Sequence, residues 1–176
     1  MDSAGAIWIG EKLSRNEEHK KPNIRKIAVG GVFCAAIALA TAYIKIPSPV
    51  GYIHAGDGII FASVGAMGLF AAVPAALGSM FADLLANYPL YAPVTFLVKG
   101  AMALAAAVLL KRLPEKLGFL AFIPPALMMI TGYFVYECFL YSPAAALVNI
   151  PFNLIQAAAG VLVGAVLSPA SRRLSK

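Results

Sequence analysis

Long apolar runs alternate with short polar stretches rich in proline and glycine along most of the chain. The first run, Ile24–Ile46, is long enough to cross a hydrocarbon layer of roughly 30 Å. Pro47–Gly58 follows, and its two prolines and three glycines stop any helix from running through. Ile59–Ala72 and Pro74–Ala86 are two shorter apolar segments divided around Pro74. They read as a second and third span; one long bent helix is the rival reading, and a re-entrant pair keeps the same parity as two crossings. Asn87–Pro93 is a loop stiffened by two prolines. Val94–Leu110 is the fourth span, Phe119–Leu140 the fifth, entered through Pro124 and Pro125, and Ala144–Leu167 the sixth, after the turn Tyr141-Ser142-Pro143. The expected fold is therefore an all-α integral membrane protein of six transmembrane helices. Its parts are a polar tail over 1–23, a membrane domain over 24–168 and a basic tail over 169–176.

Charge orients this pattern. With both termini in the cytoplasm, twelve of the fourteen lysines and arginines fall on the cytoplasmic side, and only Lys45 and Lys99 lie outward. That is the asymmetry of the positive-inside rule. A single crossing over 59–86 would put the basic loop Lys111-Arg112-Leu113-Pro114-Glu115-Lys116 outside. Composition agrees with a membrane setting. The 176 residues are 61% hydrophobic and 12% charged, about half the charge of a soluble domain. The net charge of +6 sits at span ends and does not signal nucleic acid. Trp8, in the apolar patch Ala4–Ile9, reads as an interfacial anchor. Cys34 and Cys138 lie inside apolar spans without metal-ligand spacing and read as buried thiols.

Polar residues inside the spans are costly, about 2.5–3.5 kcal/mol for a charge at the bilayer centre, so their positions are informative. Lys99 lies roughly 9 Å into the fourth helix, at 1.5 Å per residue from Pro93. Asp83 and Glu137 sit near outer ends of the third and fifth helices. Tyr133 shares a face with Glu137, and Asn149, Asn153 and Gln156 share a face of the sixth. Pro151 frees a backbone carbonyl on that helix. All fall in the outer half, with His54 and Asp57 of the 47–58 stretch. Each has a plainer role available: Lys99 snorkelling, the amides bonding neighbouring helices, Asp57 capping a helix that starts at Gly58. Tyr52, Tyr88, Tyr91, Tyr133, Tyr136 and Tyr141 also crowd this side, as an aromatic belt or as walls for a small flat polar ligand. Lys99 and Glu137, opposite in sign, are expected to be linked directly or through ligand or water.

There is no phosphate-binding Gly-x-x-x-x-Gly-Lys-Ser/Thr loop, no Gly-x-Ser-x-Gly elbow and no His-Glu-x-x-His. A binder or carrier fits better than an enzyme, and neither cofactor nor metal is expected.

The stretch from Gly51 to Asp57 (GYIHAGD), together with the long stretch from Ala82 to Gly100 (ADLLANYPLYAPVTFLVKG), resembles the S component of energy-coupling factor (ECF) vitamin transporters. The closest resemblance is to the branch associated with hydroxymethylpyrimidine and vitamin B6. The likeness covers Ile24–Leu167. It implies a substrate-capturing subunit of a bacterial plasma-membrane importer that works with a membrane scaffold subunit and two cytoplasmic ATPases. The implied lid is Gly51–Asp57, with Gly51 and Gly56 in the loop and Tyr52, His54 and Asp57 contacting ligand. The implied walls are Lys99, Tyr133, Glu137, Asn149 and Asn153, with Asp83 at their edge. The resemblance also implies docking on the scaffold through Ala36 and Ala40 of the first helix, although small pairs such as these also serve packing within a subunit. A carrier or channel without ATPase partners is the alternative function, and a membrane enzyme or assembly factor a third.

Overall fold

The computed structural model describes residues 24–49 and 51–172. The expected polar tail, the Trp8 patch, Arg173 and Lys176 lie outside them. Among the described residues are six α-helices and one hairpin: α1 (Ile24–Tyr43), β1 (Lys45–Ser48), β2 (Gly51–His54), α2 (Gly56–Met67), α3 (Ala72–Leu85), α4 (Ala92–Arg112), α5 (Ile123–Leu140) and α6 (Pro143–Ser171). Turns of 3-10 helix at Gly68–Ala71 and Glu115–Phe122 join α2 to α3 and lead into α5. Five helical runs are long and apolar enough to cross a membrane: Ile24–Tyr43, Gly56–Leu85, Ala92–Arg112, Glu115–Leu140 and Pro143–Ser171. Their outward faces carry large apolar side chains such as Val32, Leu39, Phe139 and Val166. Such a surface suits lipid rather than water.

The second run is not one bent rod. Gly30 of α1 faces Met67 and Phe70, whereas Thr41, near the other end of α1, crowds Gly56. Helix α2 thus runs antiparallel to α1. Gly78 of α3 packs on Cys34 and Ile37, so α3 climbs alongside α1 in the same direction. The chain therefore turns back at Gly68–Ala71. Gly68 closes α2 with φ of +58°, a left-handed geometry that a residue without Cβ adopts at little cost.

The described fold is helical, as expected, with one short hairpin that the sequence reading took for loop. Lys45 pairs with His54 and Ser48 with Gly51, antiparallel, so the first helix ends at Tyr43 rather than Ile46. Helix α2 begins at Gly56, and Asp57 lies in its first turn. Ala55, not Asp57, occupies the N-cap position, and no side chain caps it. At the other end of the chain, Ser142 accepts a hydrogen bond from the Ala145 amide at 3.2 Å and Pro143 opens α6. That helix continues to Ser171, past the expected boundary at 168.

Close packing of α2 on α6 places the floor of the hairpin end. A Cβ on Gly160 would lie 2.8 Å from Asp57 Cβ, and one on Gly164 would lie 2.5 Å from Phe61 Cβ. The two helices can approach this closely only because both positions are glycine. The contact holds Asp57, Gly58 and Phe61 against the second half of α6, while the first half of α6 extends beyond α2 alongside the hairpin.

Candidate functional site

Below the hairpin, Asp57 and Lys99 form a buried ion pair. Lys99 Nζ donates to Asp57 Oδ1 at 2.5 Å, and the two side chains are 0% and 1% exposed. Gln156 of α6 donates through Nε2 to Asp57 Oδ2 at 2.8 Å, while its Oε1 accepts from the His54 backbone amide at 3.1 Å. One amide therefore ties the hairpin to the ion pair. The sequence led us to expect Lys99 linked to Glu137 directly or through ligand or water; the direct ion pair that the structure shows is with Asp57. Neither Lys99 nor Asp57 lines the cavity described next, and Lys99 Nζ lies 5.4 Å from the ring centre of Tyr133, which does.

His54 is locked at its other edge. The Gly56 amide donates to Nδ1 at 3.1 Å, and Thr41 Oγ1 lies 3.4 Å from the same nitrogen. Nδ1 must therefore be an acceptor, which leaves the proton of the neutral ring on Nε2. Burial pushes the imidazole down to about 4; Asp57 opposes that shift and Lys99 adds to it.

Above this network lies a cavity of about 30 Å³, lined by the hairpin through Gly51, Tyr52 and His54 and by the helices through Asp83, Tyr91, Thr95, Tyr133, Glu137, Asn149 and Asn153, with Tyr88 and Gln156. Its volume is that of about one water molecule, so the hairpin is drawn down onto the site. Tyr52 donates to Asp83 Oδ1 at 2.6 Å and stacks at a tilt on Tyr88, centroids 5.0 Å apart. Glu137 Oε1 accepts from Asn149 Nδ2 at 2.7 Å and from Tyr91 Oη at 3.3 Å. Thr95 Oγ1 lies 3.1 Å from Tyr133 Oη. Three buried acceptors of lining residues, Asp83 Oδ2, Glu137 Oε2 and Asn149 Oδ1, have no hydrogen-bond partner. Buried acceptors without a donor are costly. Among the described residues, no lysine or arginine lines the cavity.

The structure thus brings Tyr52, His54, Asp83, Tyr133, Glu137, Asn149 and Asn153 to one cavity, with Gly51 at its rim. It leaves Lys99 and Asp57 in the support below and Gly56 at the foot of the hairpin. The sequence offered Tyr88 and Tyr91 as belt aromatics or as walls for a ligand, and did not single out Thr95. The signal for Tyr91 and Thr95 was their spacing with Lys99, i, i+4 and i+8, which gives one face of α4. Of the expected docking pair on α1, Ala36 is half-buried, but Ala40 is 7% exposed and packs inside the chain.

A family model described as "ECF-type riboflavin transporter, S component" matches residues 21–173. The chain belongs to that family. It is accordingly a multi-pass membrane protein and the substrate-binding subunit of an ECF transporter, a transport subunit and not an enzyme. Membership in the S component family implies a small-molecule vitamin as substrate and an energy-coupling module as partner. No curated protein matches the chain.

Proposed function

We propose that this S component captures a flat aromatic vitamin or precursor beneath the β1–β2 hairpin, and that the ligand is neutral or cationic and carries hydrogen-bond donors. The observation behind this is the lining of the cavity. It presents tyrosine rings, two carboxylates and three unpartnered acceptors, and no lysine or arginine. A phosphate or carboxylate ligand would meet like charge there, a mismatch that costs several kcal/mol. Ring N–H or hydroxymethyl O–H groups would satisfy Glu137 Oε2 and Asn149 Oδ1. Pyridoxine and hydroxymethylpyrimidine have that chemistry and need the smaller displacement of the hairpin. Riboflavin is the second reading, favoured by the description of the matching family.

Tyr52, His54, Asp83, Tyr133, Glu137, Asn149 and Asn153 make the contacts on this proposal. Gly51 and Gly56 bracket the moving lid, and Asp57 and Lys99 hold its floor. The helix directions favour six crossings, with α2 and α3 as separate spans and both termini cytoplasmic in a bacterial plasma membrane. The cationic end, with Lys111, Arg112 and Lys116, then faces inward. The partner scaffold and its two ATPases would meet the open face of α1, on which Ala36 retains some surface; Ala36→Trp should block transport and leave ligand binding intact.

Titration calorimetry of the purified subunit tests the ligand class. Pyridoxine, hydroxymethylpyrimidine, riboflavin and pyridoxal phosphate form the panel. One of the three unphosphorylated compounds should bind at least about a hundredfold (roughly 2.7 kcal/mol) tighter than the phosphate ester. Tightest binding by the phosphate ester would overturn the proposal.

A further inference from the structure

At the end of the bundle opposite the hairpin lies a second cavity, of about 290 Å³, between the Glu115–Phe122 turn and the last turns of α6. Its lining joins apolar Leu110, Phe119, Phe122, Ala165 and Pro169 with Ser168 and with charged Lys116, Arg172 and Glu115. Arg172 Nη1 lies 3.3 Å from Glu115 Oε1, with the arginine 33% and the glutamate 79% exposed. Gly118 is buried, and a Cβ there would stand 3.5 Å from Arg172 Nη2 and 3.4 Å from Leu110 Cδ1. Gly118 thus lies against the guanidinium. Lys111 and Arg112 end α4 on the same side, both exposed.

We infer that this cavity binds an acidic phospholipid, with the phosphate between Lys116 and Arg172 and the first part of an acyl chain against Phe119, Phe122 and Leu110. Three features select this occupant. The cavity joins apolar side chains to cationic ones, which matches the two-part chemistry of a lipid and not that of a free anion. Leu117, Phe119, Leu120 and Ile123 are all more than a third exposed around it, so the Glu115–Phe122 turn lies where hydrocarbon gives way to headgroups. The volume equals that of about ten waters, far too narrow for a partner helix about 10 Å across. Two cations, Lys116 and Arg172, line the cavity with one acid, Glu115, exposed Lys111 and Arg112 end the helix that leads into it, and basic pockets of this kind attract anionic headgroups. The incoming phosphate competes with exposed Glu115 for the guanidinium and meets little resistance, because an ion pair open to solvent is weak.

Native mass spectrometry of the full chain in neutral detergent tests this, with dioctanoyl phosphatidylglycerol, dioctanoyl phosphatidylcholine and inorganic phosphate as probes. The acidic lipid should bind at least about tenfold tighter than the zwitterionic one. Lys116→Gln and Arg172→Gln should each weaken the acidic lipid about fivefold, the worth of one cation near an anionic headgroup, and leave the zwitterionic lipid unchanged. Gly118→Leu, which fills the cavity, should weaken both. Lys116 is exposed, so its variant keeps the fold even if Arg172→Gln does not. Equal affinity for the two lipids, or unaltered binding by Lys116→Gln, overturns the inference. Binding of inorganic phosphate as tight as that of the acidic lipid would make this an ion site and overturn the lipid assignment.

Discussion

An ion pair stands at each end of the described bundle, and the two have almost nothing in common. Under the hairpin, Lys99 and Asp57 are 0% and 1% exposed and 2.5 Å apart, and Gln156 satisfies the second carboxylate oxygen. At the opposite end, Arg172 and Glu115 are 3.3 Å apart and open to solvent. The same chemistry has opposite consequences. A buried pair is expensive to form but far more expensive to break on one side, because the remaining charge stays buried and unpaired. An exposed pair exchanges its partner for water or another ion at little cost. The first pair can therefore set the geometry of a site, and the second can give way to a ligand.

The largest expected effect comes from breaking the buried pair. Lys99→Met should destabilise the subunit by about 3–5 kcal/mol, because Asp57 is left without its cation. Thermal unfolding in detergent measures this, and Lys99→Met with Asp57→Asn should recover much of the loss. Tight ligand binding by a folded Lys99→Met alone would show that the floor does not position the hairpin. Next comes the cavity wall. Glu137→Gln should weaken ligand binding at least about tenfold, roughly 1.4 kcal/mol, with little change in unfolding temperature, since Glu137 supports no charge partner below. An unchanged dissociation constant would remove Glu137 from the site.

The hairpin should also respond to pH. His54 titrates near 4 in the closed structure, against about 6.5 when open. A base with a lowered pKa binds fewer protons in the closed state. Closure is therefore at full strength above about 6.5 and weakens as pH falls from there toward 4. Ligand affinity should fall between pH 7 and 5, and His54→Gln should flatten that part of the profile. The same slope in His54→Gln would assign it to another group. The smallest effect belongs to the exposed pair: Arg172→Gln should shift stability by less than about 1 kcal/mol. A loss as large as that of Lys99→Met would erase the contrast between the two ends.

Much of the framework was legible in the sequence because hydrophobic runs and their breaks are local signals. The apolar segments, the division of 59–86 and the crowding of polar residues toward the hairpin end all follow from spacing along single helices. What spacing does not reveal is rotation. Helix α1 is apolar nearly all round, so nothing local tells which face turns inward, and Ala40 proves to be buried. Lys99 seemed matched to Glu137 by sign and depth, yet its partner lies 42 residues away at the foot of the hairpin. The hairpin itself was hidden by Pro47 and Gly51, which read as loop residues, although an edge strand tolerates both. The Gln156 link to His54 joins residues 102 apart and has no local signature.

The central claim is that ligand binds beneath the hairpin and that the hairpin covers it. Hydrogen exchange over residues 45–58, with and without saturating ligand, tests this most directly. The account predicts marked slowing at the backbone amides of Gly51 to His54 and of Gly56 on ligand binding, with little change in the lipid-facing parts of α1. Equal exchange in the two states, with ligand shown to be bound, would contradict it.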